Sequence, residues 1–353
     1  MAIESERRVL HPRESSSEVG TRERANAIES ERMPLISIVG PTASGKTSLG
    51  VELAARLEGE LLNVDSMQVF RGLDVGTDKP TASQQQRVRI HGIDLIDPGE
   101  SFDAASFADL GWRVISEASR CQVPVIAAGG TGLYHRALNH GLVDVPGRQQ
   151  ELRAALNARR EEEGIEALYQ ELMQHDPDAA ARIHPNDWVR IERALELYAS
   201  TGLLPSSLRA EHGFREYRFR QLTFGCFRPR EELYSGIEQR LEQMWRTGLL
   251  EETQCLLEQA LDPERLPLKA LGYRHAAAYL RGEWSRDEAL ALAKRDTKRY
   301  AKRQLTWYRA CADVVWLRVP LDEKALQRLA EVVSAFLREE CLESFDLPIV
   351  DAV

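Results

Sequence analysis

Apolar segments with two different periodicities alternate along residues 33–141. Short runs of large aliphatic residues at 35–39, 61–64 and 123–128 predict buried β-strands. After the first run, leucines recur at i, i+4 and i+8 over residues 49–57, which is the spacing of an α-helix. Strands that alternate with helices are typical of a parallel sheet with crossover helices. This part of the chain is therefore predicted to be an α/β domain.

The pattern changes near residue 146, after which helical character dominates. Residues 149–202 are rich in Ala, Glu and Arg, and Pro-Asn-Asp at 185–187 is a typical start signal for a helix. The helix that follows is predicted to carry its apolar residues on one face, with Arg190 and Arg193 on the other. We expect this segment to be a helical insertion in the α/β core rather than a second tandem domain.

The remainder of the chain returns to mixed strand and helix character. Strands are predicted at 219–227 and 314–317, and helices at 231–260 and 286–310. The predicted organisation is a disordered leader at 1–32, a first part of the core at 33–145, a helical insertion at 146–205, a second part of the core at 206–320 and an acidic C-terminal tail at 321–353.

Composition and charge narrow the class of protein. The 353 residues carry a formal net charge of −9, which argues against a surface that is basic throughout but not against local basic patches. Five scattered cysteines lack metal-ligand spacing and indicate a reducing cytosol, so we expect a cytoplasmic protein. No apolar run approaches membrane-spanning length. Residues 1–32 have almost no large apolar side chains, so they are expected either to be disordered or to precede a true start at Met33.

The strongest candidate site is a glycine-rich loop between the first strand and the helix after it. The loop fits the pattern G-x-x-x-x-G-K-[ST], whose backbone N–H groups wrap a chain of phosphates. Lys46 adds a full positive charge, and Thr47 is expected to hold Mg²⁺ through its hydroxyl. The motif predicts an α/β fold with a P-loop NTPase-like parallel-sheet core, and a nucleotide or another di- or triphosphate as ligand. We name this loop the phosphate loop; its residues are Gly40, Pro41, Thr42, Ala43, Ser44, Gly45, Lys46 and Thr47.

Two further polar residues follow strands of the predicted sheet. Asp65 follows the second strand directly, and Thr131 follows the strand at 123–128. Ligands of open α/β sheets bind at the carboxyl ends of the strands, so we expect the loop, Asp65 and Thr131 to surround one crevice. The spacing alone leaves Asp65 as a general base, a helix cap or a Mg²⁺ ligand. Ser66 and Gln68 are either contacts to a base or sugar, or ordinary turn residues.

Three classes of enzyme use such a loop: hydrolases of ATP or GTP, small-molecule kinases, and transferases with a diphosphate leaving group. A hydrolase normally has a second magnesium-binding Asp at the end of an apolar strand, whereas the strand at 123–128 ends in Gly-Gly-Thr. An RNA-binding protein with a degenerate nucleotide site is a further alternative. The intact Lys46 and Thr47, together with an acid at a strand end, argue against it.

Two groups of cations stand out in this acidic chain. A charged helix face is often simply solvated, but two such groups favour a phosphate backbone as partner. The first group comprises Lys294, Arg295, Lys298, Arg299, Lys302, Arg303 and Arg309, and the second comprises Arg209, Arg215, Arg218, Arg220, Arg228 and Arg230.

Six motifs resemble, in the same order, those of the bacterial tRNA dimethylallyltransferases, the tRNA isopentenyltransferase family. The sequence departs from the family at Phe70, where a tyrosine is usual. The matching segments cover about residues 33–310 and are the phosphate loop, Asp-Ser-Met-Gln at 65–68 with its continuation to Thr77, Gly-Gly-Thr-Gly-Leu-Tyr at 129–134, His-Pro-Asn-Asp at 184–187 with its helix, Ala-Leu-Gly-Tyr-Arg at 270–274, and Lys-Arg-Gln-Leu-Thr-Trp at 302–307.

The resemblance implies a monomeric prenyltransferase. Such an enzyme moves a dimethylallyl group from dimethylallyl diphosphate to N6 of the adenosine 3′ of the tRNA anticodon (position 37), giving N6-dimethylallyladenosine and diphosphate. Lys46, Asp65 and Thr131 are implied as catalytic residues, with Asp65 as general base. The alternative is a P-loop nucleoside or metabolite kinase, which transfers phosphate from ATP to a small hydroxyl acceptor.

The resemblance also assigns binding residues. Arg240 is implied at the diphosphate, and a set of residues is implied at the anticodon stem-loop. For Arg153, Arg240, Tyr273 and Arg274, an ion pair or contact in the core explains the motif nearly as well. The residues implied for tRNA are Asp65, Ser66, Met67, Gln68, Thr131, Arg153, Val189, Arg190, Ile191, Glu192, Arg193, Tyr273, Arg274, Lys302 and Arg303.

Overall fold

The computed structural model describes residues 32–143, 145–213, 216–259, 266–340 and 347–350. The predicted disordered leader, except for its last residue, and Arg215 of the second basic group lie outside the described residues. The chain divides into two compact units. The first contains the segments up to Asn139 and from Arg218 onward, and the second is His140–Tyr217.

The first unit is built on a six-stranded sheet in which every strand pairing is parallel. Its strands are β1 (Pro34–Val39), β2 (Glu60–Val64), β3 (Ile90–His91), β4 (Val125–Gly129), β5 (Arg220–Phe227) and β6 (Val314–Arg318). Across the sheet the order is β3-β2-β4-β1-β5-β6. Because β2, β4 and β1 are neighbours, the segments that follow them leave the sheet side by side at one edge.

Helices surround this sheet and explain its continuous apolar strands, since a parallel sheet covered on both faces needs no polar alternation. The helices of the first unit are α1 (Lys46–Arg56), α2 (Ala82–Arg87), α3 (Ala104–Arg120) and α4 (Gly132–His140), whose last residue belongs to the second unit. The helices after the second unit are α10 (Arg230–Thr247), α11 (Leu249–Glu258), α12 (Leu266–Lys269), α13 (Tyr273–Leu280), α14 (Arg286–Arg309) and α15 (Glu323–Leu337).

The predicted helix at 231–260 is two helices, α10 and α11. They are separated at Gly248, whose φ of 138° lies outside the range that other residues readily adopt. The segment predicted as an acidic tail contains α15. Its apolar residues Leu329 and Val333 are fully buried against the sheet, while acidic residues such as Glu331 face solvent.

A second apolar cluster of the first unit joins helices α10, α11, α13 and α14 to the segment that follows β2. From that segment Val69, Phe70 and Leu73 are at most 1% exposed, and they pack with Trp245 and Tyr273 of the helices. Phe70 is so deeply buried that a hydroxyl on its ring would not reach solvent. A phenylalanine therefore fits this position, where a tyrosine is usual in the family. This packing fixes the direction in which the chain leaves the second strand.

The second unit is wholly helical among its described residues. Its core is apolar, with Leu168, Leu172 and Ile191 at most 1% exposed. Its helices are α5 (Gln150–Glu163), α6 (Ile165–His175), α7 (Pro177–Ala180), α8 (Trp188–Thr201) and α9 (Pro205–His212). The predicted 146–205 lies inside this unit, which is longer because α9 is anchored in it: the N–H of Ser206 donates to the Asp176 carboxylate at 2.8 Å.

Among the described residues, no helix combines the length and apolarity that crossing a bilayer requires.

Candidate functional site

The phosphate loop joins β1 to α1 in a conformation that its sequence dictates. Gly40 and Gly45 have φ values of 140° and 93°, which glycine adopts without strain. A Cβ on Gly40 would lie 2.9 Å from the carbonyl oxygen of Cys226 on β5, so the loop rests directly on the neighbouring strand. A glycine-rich loop that leads into a helix N-terminus in this way is suited to surround an anion.

Lys46 is the first residue of α1 and folds back over the loop. Its ammonium donates to the carbonyl oxygen of Pro41 at 2.6 Å, and the residue is only 8% exposed. Burial, with a smaller contribution from the nearby Arg240, lowers the pKa of Lys46 to about 8. The side chain is therefore still mainly charged at neutral pH, in a site where water screens its charge poorly.

Asp65 is held at the end of β2 by its own turn. The N–H groups of Met67 and Gln68 donate to its Oδ1 at 2.8 and 3.4 Å. Burial raises the pKa of the Asp65 carboxyl, although these two N–H groups and Lys46 oppose that rise. Both of these N–H groups bond to Oδ1. Oδ2 accepts no hydrogen bond from the described residues and is therefore the oxygen that can accept a proton.

Thr131 lies beside the Asp65 turn. Its hydroxyl oxygen accepts the N–H of Ser66 at 3.1 Å, and its own N–H donates to the carbonyl oxygen of Val64 at 3.2 Å. The ends of β2 and β4 are thus tied together by both the backbone and the side chain of Thr131. The phosphate loop, Asp65 and Thr131 therefore meet at one edge of the sheet.

Two cavities adjoin at this edge and share Asp65. The smaller, of about 100 Å³, is lined by Lys46, Thr47 and three further residues of the phosphate loop, Thr42, Ala43 and Gly45. The larger, of about 560 Å³, has the size of an ordinary small-molecule site and is lined by Met67 and Tyr300, among others. An acid at the junction can act on a group that lies between a phosphate chain in one cavity and a flat organic ligand in the other.

Arg240 of α10 lies at the same junction. Its guanidinium donates to the hydroxyl of Thr42 in the loop and to the Asp78 carboxylate, the latter at 2.9 Å. It lines both cavities. A guanidinium in this position presents a second full positive charge to a phosphate ligand. Arg240 also forms an ion pair with Asp78 within the protein. It therefore has both of the roles expected for it: it lies at the phosphate cavity, and it takes part in an internal ion pair.

The side chains around the smaller cavity suit a hard cation. Among the described residues, no group of three or more His, Cys, Asp or Glu is placed to hold a metal ion. The cavity does have oxygen donors at Thr47, Asn63 and Gln68, and the buried Oε1 of Gln68 has no hydrogen-bond partner. This set fits Mg²⁺, which keeps several water or phosphate oxygens as ligands and takes only one or two from protein.

Comparison with known proteins identifies the family. The family model described as IPP transferase matches residues 68–311. The tRNA dimethylallyltransferase of Anaeromyxobacter dehalogenans is 49% identical over 303 residues, which cover 85% of this chain and 99% of that protein. The chain belongs to the IPP transferase family. The tRNA dimethylallyltransferase 1 of Pelobacter propionicus is 46% identical over 81% of this chain and 93% of that protein.

Solved structures agree with this membership of the IPP transferase family. The full-length tRNA isopentenylpyrophosphate transferase of Bacillus halodurans matches with a TM-score of 0.65 and 38% identity, over 87% of this chain and 98% of that one. A eukaryotic dimethylallyltransferase acting on tRNA matches with a TM-score of 0.75 and 25% identity, over 88% and 80% of the two chains. The resemblance noted in the sequence and the predicted P-loop-like α/β fold are confirmed.

Glu252 is a residue of this IPP transferase site that the sequence did not reveal. Its carboxylate accepts the N–H groups of Asp74, Val75 and Gly76 at 2.6–3.0 Å, and the hydroxyl of Tyr273 at 2.6 Å. Tyr273, which was predicted to contact tRNA, is almost wholly buried, lines the larger cavity and also supports this segment through its bond to Glu252. No motif signals Glu252, because its partners are backbone groups distant in sequence.

We expect Glu252→Ala to lower the free energy of unfolding by about 1–3 kcal/mol, since it leaves partly buried N–H groups of the segment without an acceptor. The segment lines the larger cavity through Gly76 and Thr77, so ligand affinity should fall as well. Chemical denaturation measures the first effect. Glu251→Ala, one residue away and exposed, is the matched control, and equal stabilities of the two variants would contradict the anchoring role.

The predicted tRNA-binding residues of the second unit differ in how far they are exposed to solvent. Ile191 and Glu192 are 0% and 5% exposed, so their side chains pack the unit rather than face an RNA. Arg153 is tied to Glu192 at 2.8 Å, and Arg193 donates to Glu196 at 2.7 Å. The side chains that remain exposed are those of Val189 and Arg190.

The basic helix α14 likewise mixes structural and exposed cations. Lys294 and Lys298 pair with glutamates of α10, and Arg274 of α13 pairs with Asp296. Lys302 and Arg303 are exposed at the surface of the helix. Of the second basic group, Arg220 stacks on Phe336 and is structural.

Tyr300 of α14 is a further residue of the site that no sequence motif indicates. It lines the larger cavity, and both burial and the nearby Asp65 raise the pKa of its phenol. The phenol therefore stays protonated at neutral pH and is available as a hydrogen-bond donor next to Asp65.

Proposed function

We propose that this chain transfers a dimethylallyl group from dimethylallyl diphosphate to N6 of the adenosine 3′ of the anticodon in tRNA. The observation that carries this proposal is the position of Asp65 between a phosphate-binding cavity and a larger cavity that can take a nucleoside. Membership of the IPP transferase family and the names of its relatives support the same reaction.

The phosphate loop is the leaving-group site. As the C–O bond of dimethylallyl diphosphate breaks, negative charge grows on the diphosphate. The loop N–H groups, Lys46 and Arg240 are positioned to stabilise that charge. Their interaction with the diphosphate is stronger in the transition state than in the bound substrate. Thr47 would hold a Mg²⁺ ion, which would supply further positive charge at the diphosphate.

Asp65 is the general base that accepts the proton of N6. The exocyclic N6 is a poor nucleophile because its lone pair is delocalised into the ring, and after it bonds to the allylic carbon it must lose a proton. Oδ2 of Asp65 accepts that proton, so the products are the substituted adenosine, diphosphate and a protonated carboxyl. The raised pKa of Asp65 brings the carboxyl closer to neutral pH, which suits a base of this kind.

The RNA is held chiefly through its backbone. An adenine reaches a recessed carboxylate only if it leaves the stack, and loop bases do so most readily. Met67 and Tyr300 line the cavity that takes the base. Exposed cations that can contact phosphates include Lys302 and Arg303 in the first unit and Arg190 in the second, and such contacts position an RNA without selecting its sequence.

The direct test is a transfer assay with two labels. The protein is incubated with Mg²⁺, unmodified tRNA and either labelled dimethylallyl diphosphate or labelled ATP. We expect the prenyl label in the tRNA, at a position that nuclease digestion and mass spectrometry assign to the adenosine 3′ of the anticodon. Phosphate transfer from ATP to a small acceptor without prenyl incorporation would replace this proposal with the kinase.

The pH dependence of kcat/KM for dimethylallyl diphosphate should be bell-shaped. Asp65 must be ionised, so activity falls as pH drops through its raised pKa. Lys46 must be protonated, so activity also falls as pH rises through about 8. Bound diphosphate stabilises the charged Lys46, and the alkaline limb of kcat should therefore lie at higher pH than that of kcat/KM. A kcat/KM that stays flat from pH 7 to about 10 would contradict the role of Lys46.

A further inference from the structure

The turn after β4 is built to receive the basic helix α14. A Cβ on Gly130 would lie 2.2 Å from Nε2 of Gln304, and one on Gly132 would lie 2.4 Å from Nε1 of Trp307. Both distances are far shorter than any real contact of a Cβ. The two glycines that flank Thr131 thus exist to let two side chains of α14, one turn apart, lie directly on the turn.

Gln304 does more than fill that space. Its Oε1 accepts the N–H of Thr42 in the phosphate loop at 2.8 Å, and its Nε2 donates to the carbonyl oxygen of Gly130 at 2.9 Å. The residue is only 7% exposed. A neutral primary amide is the side chain that offers an acceptor and a donor at this separation. One side chain therefore spans the leaving-group loop and the end of β4.

Each residue that Gln304 holds is next to a reacting group. Thr42 is the loop residue whose hydroxyl also accepts from Arg240. Gly130 precedes Thr131, whose hydroxyl accepts the N–H of Ser66 beside Asp65. Displacement of Gln304 would thus let the phosphate loop move relative to the Asp65 turn.

We propose that Gln304 is a positioning residue that sets the distance between the diphosphate and the base. This inference rests on the proposed prenyl transfer and deepens it. Gln304 lines neither of the two cavities and acts through Thr42 and Gly130. Errors of about 1 Å in such alignment cost up to about 100-fold in rate, so the effect belongs in kcat more than in RNA affinity.

The first test is Gln304→Met, which keeps the volume of the side chain and removes both hydrogen bonds. We expect kcat for prenyl transfer to fall by about 10- to 100-fold, with the Kd for tRNA within about twofold of wild type. Gln327→Met, an exposed glutamine on α15, is the matched control and should be neutral. A wild-type kcat in Gln304→Met would overturn the inference.

Gln304→Glu supplies a readout that packing alone does not move. An ionised glutamate accepts from Thr42 but cannot donate to Gly130, whereas a protonated one does both. Its kcat relative to wild type should therefore rise as pH falls, and a constant ratio between pH 5.5 and about 8.5 would contradict the inference. Because the variant has the size of glutamine, it also serves if Gln304→Met fails to fold.

Gly130→Ala tests the same contact from the other side. Its Cβ displaces the amide, so we expect the same loss of kcat, and no further loss in the double variant with Gln304→Met. Binding of inorganic diphosphate with Mg²⁺, measured by calorimetry, separates this inference from the reaction itself. Weaker binding in Gln304→Met supports the positioning role even if wild type transfers no prenyl group, and unchanged binding in that case overturns it.

Discussion

Asp65→Asn is expected to lower kcat for prenyl transfer by about 10²- to 10⁴-fold and to leave the Kd for tRNA within about threefold of wild type. Asparagine has the size of aspartate, and its side-chain oxygen can still accept the N–H groups of Met67 and Gln68. The turn therefore keeps its shape. What is lost is an oxygen that can take the proton from N6.

Single-turnover transfer from labelled dimethylallyl diphosphate measures this effect without interference from product release. Asp109→Asn is the matched control, since Asp109 is an exposed aspartate in the middle of α3. It should behave as wild type. Full activity in Asp65→Asn would remove Asp65 as the base, and a large loss of tRNA affinity at unchanged kcat would make it a binding residue instead.

Lys46→Met should lower kcat/KM for dimethylallyl diphosphate by about 10²- to 10³-fold. Methionine fills the space of the lysine stem but carries no charge, so the growing negative charge on the diphosphate loses its nearest cation. The fold should tolerate the change, because removal of a buried charge relieves its desolvation while only one hydrogen bond, to Pro41, is lost.

Initial rates at several donor concentrations give kcat/KM, and calorimetry with inorganic diphosphate gives the ground-state part of the loss. Lys324→Met, an exposed lysine on α15, controls for the loss of a positive charge elsewhere. Equal kcat/KM in Lys46→Met and wild type would show that the loop binds its anion through backbone groups alone.

The site features that could be predicted from the sequence are those whose supporting strand lies next to them along the chain. The phosphate loop, Asp65 and Thr131 each follow an apolar run directly, so the strand that positions them is visible beside them. The rule that ligands bind at the carboxyl ends of parallel strands then brings them together without knowledge of the strand order. The same reasoning gave the parallel α/β fold.

Residues whose role depends on distant partners could not be sorted in this way. Ile191 and Glu192 match the family motifs as well as Arg190 does, yet their side chains are buried and pack against their neighbours. Glu252 stands in no motif, and Gln304 lies in a motif but was given no role, because each binds backbone groups far away along the chain. Burial and long-range partners belong to the tertiary structure, and a motif match alone does not contain them.

The strand order has a consequence for how the protein is made. Gly40 rests on Cys226 of β5, and β1 pairs with β5 over its whole length, although nearly two hundred residues separate them. On the ribosome, β1 can pair with β4 earlier, but its pairing with β5 must wait until β5 has emerged. The helices of the second unit, whose contacts are local, are complete in the nascent chain by then. The phosphate loop thus gains its support from β5 only after the whole second unit has been synthesised.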